Sequence, residues 1–172
     1  MAHNLALRML SDWAMAEDAT QEAFLSGYRA FRGFRGDNLR SWLLRIVANA
    51  CRDMLRARKS RPAISIELSP LDPEGPANSP LNLPSHDESP EDYALRRELG
   101  RVLQDGLQFL PQERRLTVTL VDVQGFSYEE AAQVMNCSLG TVKSRLARGR
   151  AALRDFLQTH RELLPHQFRH DR

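Results

Sequence analysis

An all-α fold is predicted by three features of this 172-residue chain. Apolar residues recur at helical spacing wherever they form a clear pattern, and no segment alternates in the manner of a half-buried strand. No two-residue hairpin turn joins two extended runs. Helix caps and breakers fall where two groups of helices need them, on either side of a proline-rich segment. The predicted architecture is two small helical domains joined by a Pro-rich acidic linker.

The first region covers residues 1–61. A short helix from Leu5 to Leu10 is followed by a turn and an amphipathic helix from about Asp12 to Phe31. The stretch Arg32-Gly33-Phe34-Arg35-Gly36-Asp37 breaks that helix, and Asp37 caps a long helix running through Arg58. On this long helix Leu39, Trp42, Leu43, Ile46, Val47, Ala50 and Met54 share one face, while Arg45, Asn49, Arg52, Arg56 and Lys59 form an adjoining basic stripe. Residues 62–90 hold seven of the nine prolines among Ser, Asn, Asp and Gly, a composition too polar to bury a core, and read as a flexible linker. The second region, residues 91–160, starts at Ser89-Pro90-Glu91-Asp92. There a cap residue, a proline at the first helical position and two acids at the positive end of the dipole agree. Residues 161–172 form a polar tail.

Within the second region, Ser127 and Glu130 have capping-box spacing. Asn136 sits where a turn needs a residue tolerant of positive φ, and Ser138 is placed to cap the next helix. Leu139, Val142 and Leu146 form its buried stripe, and the small Ala132 lets the two helices approach. The second domain is therefore a helix-turn-helix domain, whose last helix presents Thr141, Lys143, Ser144, Arg145 and Arg148 on its outer face. Hydroxyls and long cations at a helix start suit a DNA major groove, with Arg read against guanine.

Composition narrows the function. With 42% hydrophobic residues there is material for one or two small cores, which excludes a large enzyme scaffold. No run approaches the roughly 18 apolar residues of a membrane span and no signal peptide opens the chain, so a cytoplasmic location without membrane insertion is expected. Cys51 and Cys137 have no metal or disulfide spacing and are expected to be reduced and buried. The histidines are scattered or confined to the tail, with neither zinc spacing nor a catalytic triad. No metal, cofactor or catalytic residue is expected. The net charge of +2 conceals segregation: −3 over residues 1–26, +8 over 27–61, −7 over 62–95 and +5 over 138–161. Two basic blocks around an acidic spacer point to two polyanion-facing surfaces, and the spacer is placed to shield one of them when DNA is absent. Phe34 and Arg35, between Gly33 and Gly36, put a ring, a guanidinium and exposed amides beside the basic stripe, a combination suited to single-stranded bases.

Three stretches together resemble the bacterial RNA polymerase sigma factors of the extracytoplasmic-function (ECF) group. Asp18-Ala19-Thr20-Gln21-Glu22-Ala23-Phe24 is similar to that family's core-polymerase-binding motif. Phe34-Arg35-Gly36-Asp37 with Trp42 to Asn49 is similar to its promoter-melting loop and recognition helix. Ser127 to Arg150 resembles its fourth conserved region. The resemblance implies that Asp18, Gln21 and Glu22 dock on bacterial core RNA polymerase. It implies that Phe34, Arg35 and Asn49 hold an everted base of the melted minus-ten strand while Arg45, Arg52 and Arg56 meet the backbone or duplex edge. It further implies that Thr141, Lys143, Ser144, Arg145 and Arg148 read the minus-thirty-five duplex, that the linker follows the RNA-exit path, and that an anti-sigma factor is a partner. Family members carry more first-region helix before the part matching Leu5 to Leu10, so this chain is expected to start late. The competing reading is a polymerase-independent helix-turn-helix regulator that binds an operator as a dimer, in which the Phe34 loop and the acidic motif have no role.

Overall fold

The computed structural model describes residues 1–36, 38–60 and 89–160, and among these it contains seven α-helices and no strand. The first group is α1 (Ala2–Leu10), α2 (Trp13–Ala30) and α3 (Leu39–Ser60), with a 3-10 turn at Phe31–Gly33. The second is α4 (Pro90–Phe109), α5 (Gln112–Val118), α6 (Tyr128–Met135) and α7 (Leu139–Thr159), with a π turn at Thr119–Val123 extending α5. The expected linker, the tail, the Asp37 cap and the shielding role of the acidic spacer lie outside the described residues.

Local chemistry sets the helix ends. Ser11 stops α1 in the left-handed region at φ 55° and returns its N–H to the Leu7 carbonyl. Asp12 Oδ1 accepts the Met15 N–H at 2.9 Å to start α2. α3 is capped by Asn38, one residue beyond the expected Asp37: its Oδ1 accepts the Ser41 N–H at 2.9 Å. The expected cap of α4 is present, with Ser89 accepting the Asp92 N–H at 3.1 Å.

α2 buries a line of small residues, Ala16, Ala19, Ala23 and Gly27, which lets it lie close against α1 and α3. On α3 the fully buried line is Leu44, Val47, Ala48 and Cys51; of the expected face Val47 is fully buried, Trp42, Leu43, Ile46, Ala50 and Met54 are partly buried, and Leu39 is exposed. The reason is that α3 is covered on two sides, by α1 and α2 and also by α6. One apolar core consequently runs through both groups, from Leu5, Met9 and Val47 to Leu120, Phe126, Ala131 and Val142. Burial pushes the Cys51 thiol up to about 12, which leaves it a neutral packing residue. Cys137 is only partly buried, contrary to expectation; both cysteines are free.

Two buried guanidiniums tie the groups together. Arg115 on α5 donates to the carbonyls of Leu107, Gln108 and Leu110 at the α4 end and, at 2.7 Å, to the Met9 carbonyl at the α1 end. These are orphan helix C-terminal carbonyls at the negative end of the dipole, so a cation there meets both needs. Arg8 on α1 donates to Gln104 Oε1 at 2.8 Å, and Gln104 in turn donates to Ser11 Oγ at 2.8 Å. Burial lowers the pKa of both arginines, without discharging either.

Candidate nucleic-acid interface

The first candidate surface lies at the start of α3. After the 3-10 turn Phe34 is extended, and its ring packs on Trp42 with centroids 5.0 Å apart and lies 6.4 Å from Phe31. A Cβ on Gly36 would come within 3.2 Å of the Phe34 ring, so glycine is what allows the loop to fold back over it. Phe34, Arg35, Asn38, Ser41, Trp42 and Arg45 line a cleft of about 460 Å³, to which α6 contributes Gln133. Phe34 is half-buried and both arginines are exposed, giving an aromatic wall beside two cations.

Not every residue of the expected minus-ten set reaches this cleft. Asn49, one turn beyond Arg45, faces solvent and accepts from Arg52 Nη1 at 3.1 Å. The Arg52 side chain is 15% exposed and bonds Glu113 on α5 through Nε at 3.0 Å and Nη2 at 3.3 Å. Arg56 pairs with Asp53 at 2.8 Å in open solvent. The structure thus brings Phe34, Arg35 and Arg45 together and leaves Asn49, Arg52 and Arg56 farther along α3.

The second surface is the helix-turn-helix. The capping box is complete: Glu130 N–H donates to Ser127 Oγ at 3.1 Å, and Ser127 N–H donates to Glu130 Oε2 at 2.9 Å. These bonds, with Asn38 and the charge of Arg40, hold the Glu130 carboxyl below its usual pKa, the Ser127 amide contributing most. Asn136 takes the left-handed conformation at φ 52°, ψ 51° and ends α6. Ser138 then caps α7 by accepting the Thr141 N–H at 3.2 Å. Val142 and Leu146 are buried as expected, while Leu139 is only partly so. α7 also lies close to α5 at Gly149, where a Cβ would sit 2.8 Å from Val118 Cγ2, and to α4 at Gly106, where one would sit 2.6 Å from Leu153 Cδ1. Lys143, Ser144 and Arg148 are exposed on the outer face and Thr141 is half-buried. Arg145 is also half-buried and donates to Glu113 Oε2 at 3.0 Å. Arg150 forks onto Asp122 of the π turn, a pairing that raises its pKa.

The third surface is the outer face of α2. Asp18, Gln21 and Glu22 are exposed there, as expected, but so are Phe24, Leu25 and Tyr28, the last at 84%, with Phe31 beyond. Glu17, Thr20, Gln21, Phe24 and Leu25 form a groove with His3 of α1. Contiguous exposed apolar side chains of this size, rimmed by acids, suit a protein partner. Among the described residues no cluster of His, Cys, Asp and Glu is arranged to hold a metal, and no helix is long and apolar enough to cross a membrane.

Two family models match this chain, Sigma-70 region 2 over residues 1–61 and Sigma-70, region 4 over residues 101–153. The RNA polymerase sigma-H factor of Pseudomonas aeruginosa is 39% identical over 155 residues, 90% of this chain and 79% of that protein. The ECF RNA polymerase sigma-E factor of Escherichia coli is 36% identical over 146 residues, 82% of this chain and 73% of its own. The chain belongs to the ECF sigma factor family. The ECF RNA polymerase sigma factor SigE of Mycolicibacterium smegmatis is 38% identical over 158 residues, 92% of this chain, which spans 58% of that relative's length. Among solved structures, CnrH in complex with the cytosolic domain of CnrY has a TM-score of 0.62 at 27% identity, covering 92% of this chain and 81% of the other. The sigma factor RpoE of Bartonella quintana, solved with the anti-sigma factor NepR, has the same fold, with a TM-score of 0.64 at 24% identity over 91% of this chain and 89% of that one.

The region 2 match spans α1 to α3 of this sigma factor, and the region 4 match begins within α4 and ends within α7. Sequence reasoning missed Asn38, Ser41 and Gln133 as cleft residues and Glu113 as the shared partner of Arg52 and Arg145. It also missed Phe24, Leu25 and Tyr28 on the α2 surface, although a signal existed. A helix whose interior positions are all Ala or Gly turns its large apolar side chains outward, and α2 does so.

Proposed function

We propose that this sigma factor binds bacterial core RNA polymerase and directs it to specific promoters. The observation that carries the reading is the presence, on one chain, of a helix-turn-helix with a cationic outer face and of a separate aromatic cleft flanked by arginines. A duplex-reading module and a site suited to unpaired bases are what promoter location followed by strand opening requires.

In this reading the outer face of α2 docks on the polymerase through Asp18, Gln21 and Glu22, with Phe24, Leu25 and Tyr28 supplying apolar contact. The free N–H groups at the start of α7, with Thr141 and Ser144, approach phosphates of the minus-thirty-five element, while Lys143, Arg145 and Arg148 face the major groove. In the minus-ten element, a base leaving the stack costs a few kcal/mol. Stacking on an aromatic side chain returns about 1–3 kcal/mol per base. Phe34 and Trp42 provide that surface, Arg35 and Arg45 neutralise the adjacent phosphates, and Asn49, Arg52 and Arg56 act on the strand farther along α3. Opening is then favoured only where the cleft accepts the base. The chain supplies recognition, and bond formation belongs to the polymerase. Because both solved relatives named above are complexes with protein partners, one described as an anti-sigma factor, an anti-sigma partner belongs to this proposal as well.

The test is transcription from fragmented genomic DNA by sigma-free core polymerase with and without this chain. Transcripts with defined 5′ ends that appear only with the chain support the reading. Transcription unchanged by the folded chain contradicts it.

A further inference from the structure

We propose that Phe31 and Arg32 form a second single-strand position beside the Phe34 cleft, where Phe31 stacks the base next to the captured one and Arg32 neutralises the adjoining phosphate. The inference rests on the proposed capture of a base at Phe34 and enlarges that site from one nucleotide to two.

The chain repeats itself at this point: Phe31-Arg32-Gly33 is followed at once by Phe34-Arg35-Gly36. The 3-10 turn at Phe31–Gly33 converts the repeat into geometry, because residues three apart eclipse one another in a 3-10 helix. Phe34 N–H donates to the Phe31 carbonyl at 3.0 Å and closes the turn. The two rings are brought nearly parallel, with 13° between their planes and centroids 6.4 Å apart. Phe34 lines the cleft and tilts against Trp42 at 49°, whereas Phe31 stands outside the cleft and is 55% exposed. A half-buried ring facing the cleft is thus followed by a parallel ring open to solvent. Aromatic faces presented in succession are what successive unpaired bases stack on.

Charge decides between a nucleic-acid strand and a protein as the occupant. The exposed apolar row of α2 and the turn runs through Phe24, Leu25, Tyr28 and Phe31. Around its first part the exposed charged groups are Glu17, Asp18 and Glu22, and from Tyr28 onward they are Arg29, Arg32 and Arg35. None of these three arginines has a hydrogen bond or ion pair among the described residues. Solvated cations beside an exposed ring suit a polyanion that also carries π faces. The change of sign along one row therefore divides a part suited to the polymerase from a part suited to DNA.

The backbone between the two ring positions is bare. A Cβ on Gly33 would meet nothing within 4 Å, so internal packing does not call for glycine there. Its absence of a side chain leaves a strand room to approach the backbone as it passes from one ring to the next.

The test is the affinity of fluorescein-labelled, random-sequence short single-stranded DNA for the complex of the full chain with core RNA polymerase, with core alone as background. Phe31→Ala is expected to weaken binding about 5- to 100-fold, the range for loss of one stacked base, and Phe31→Trp to bind as the wild type does. Phe31→Leu keeps apolar bulk without a π face and should behave like Phe31→Ala. Arg32→Ala should flatten the plot of log affinity against log salt by about 0.7, the contribution of one single-strand phosphate. Every variant should still co-elute with core polymerase.

A Phe31→Ala chain, folded by its thermal transition, that binds the strand as tightly as the wild type overturns the proposal. Wild-type affinity in Phe31→Leu also overturns it, since the contact would then be merely apolar. Loss of co-elution in Phe31→Ala does so as well, since Phe31 would then belong to a protein interface. Phe34→Ala separates the proposal from the reading beneath it. If Phe34→Ala weakens strand binding and Phe31→Ala does not, the second position is wrong and capture at Phe34 stands. If Phe34→Ala has no effect, or the complex binds no more strand than core alone, base capture fails and the second position fails with it.

Discussion

The helix-turn-helix and the Phe34 cleft are both candidate DNA surfaces, yet they are assembled in opposite ways. The first is almost entirely local. Ser127, Glu130, Asn136 and Ser138 fix the ends of α6 and α7 through bonds to residues three positions away or through their own backbone conformation. The cleft has a local part, Phe34 against Trp42 and Asn38 on Ser41, but its far side comes from Gln133, and its neighbouring stripe is held by Glu113. A surface made of short-range bonds keeps its shape wherever its domain goes. One completed by another part of the chain changes when that part leaves. In the proposed reading, the contrast gives one sigma factor a duplex-reading face that is ready-made and a strand-capturing face that depends on the state of the whole molecule.

The strongest way to break the comparison is through the core that joins the two groups. Leu120 is fully buried in the cluster running from α1–α3 into the second group. Leu120→Ala is expected to cost about 2–5 kcal/mol, the range for a large-to-small change in a packed core. Urea denaturation followed by tryptophan fluorescence, with Trp13 and Trp42 both in the first group, should register the loss although the substitution lies in the second. A tryptophan transition indifferent to Leu120 would make the groups independent.

Next in size are the paired substitutions that separate the two surfaces. Arg145→Ala is expected to weaken binding of the polymerase complex to its upstream duplex by about 1–3 kcal/mol, as for loss of a bidentate base contact, while leaving strand opening on bound complexes intact. Phe34→Ala should do the reverse: the upstream footprint persists and permanganate reactivity of the minus-ten thymines falls. Equal effects of both substitutions on both readouts would dissolve the distinction.

A smaller effect probes the local encoding itself. Ser127→Ala removes the cap of α6 and is expected to cost about 1 kcal/mol in thermal or urea unfolding. Asn136→Ala, which forces a left-handed backbone on a residue without the amide, should cost about 1–2 kcal/mol. Gly at that position should be tolerated.

What could be read from the amino-acid sequence follows the same division. The caps Ser89, Ser127, Asn136 and Ser138 were legible, since they act within a few residues of themselves, whereas α5 starts after Pro111 without a side-chain cap and was not read. The existence of α1, α2 and α3 was legible from spacing and breakers. The full buried face of α3 was not, because a helix covered on two sides has no single apolar stripe to find. Of the site residues, the exposed cations of α7 and the ring at Phe34 stood out by type and position. Glu113 did not, because it lies in an ordinary polar run on α5 and acquires its role from Arg52, 61 residues away. The tight approach at Gly149 was equally invisible, because it depends on where Val118 comes to lie.

The smallest expected effect sits on the residue serving both surfaces. Glu130 completes the capping box and accepts from Asn38 of the first group, and its pKa is held low chiefly by the Ser127 amide. A carboxyl with a depressed folded-state pKa adds stability that is present above its unfolded value and is lost as pH falls through the folded one. Wild-type protein should therefore lose slightly more stability than Glu130→Gln as pH drops from about 5 toward 3, the carboxylate range. Parallel melting curves of the two proteins over that interval would show that the capping bonds do not favour the charged form.

The most direct test of the sigma factor reading is size-exclusion chromatography of the full chain with sigma-free core RNA polymerase, alongside an Asp18→Arg, Glu22→Arg variant whose circular dichroism matches the wild type. The prediction is stoichiometric co-elution of the wild-type chain and its loss in the variant. A folded wild-type chain that elutes apart from the polymerase would contradict it.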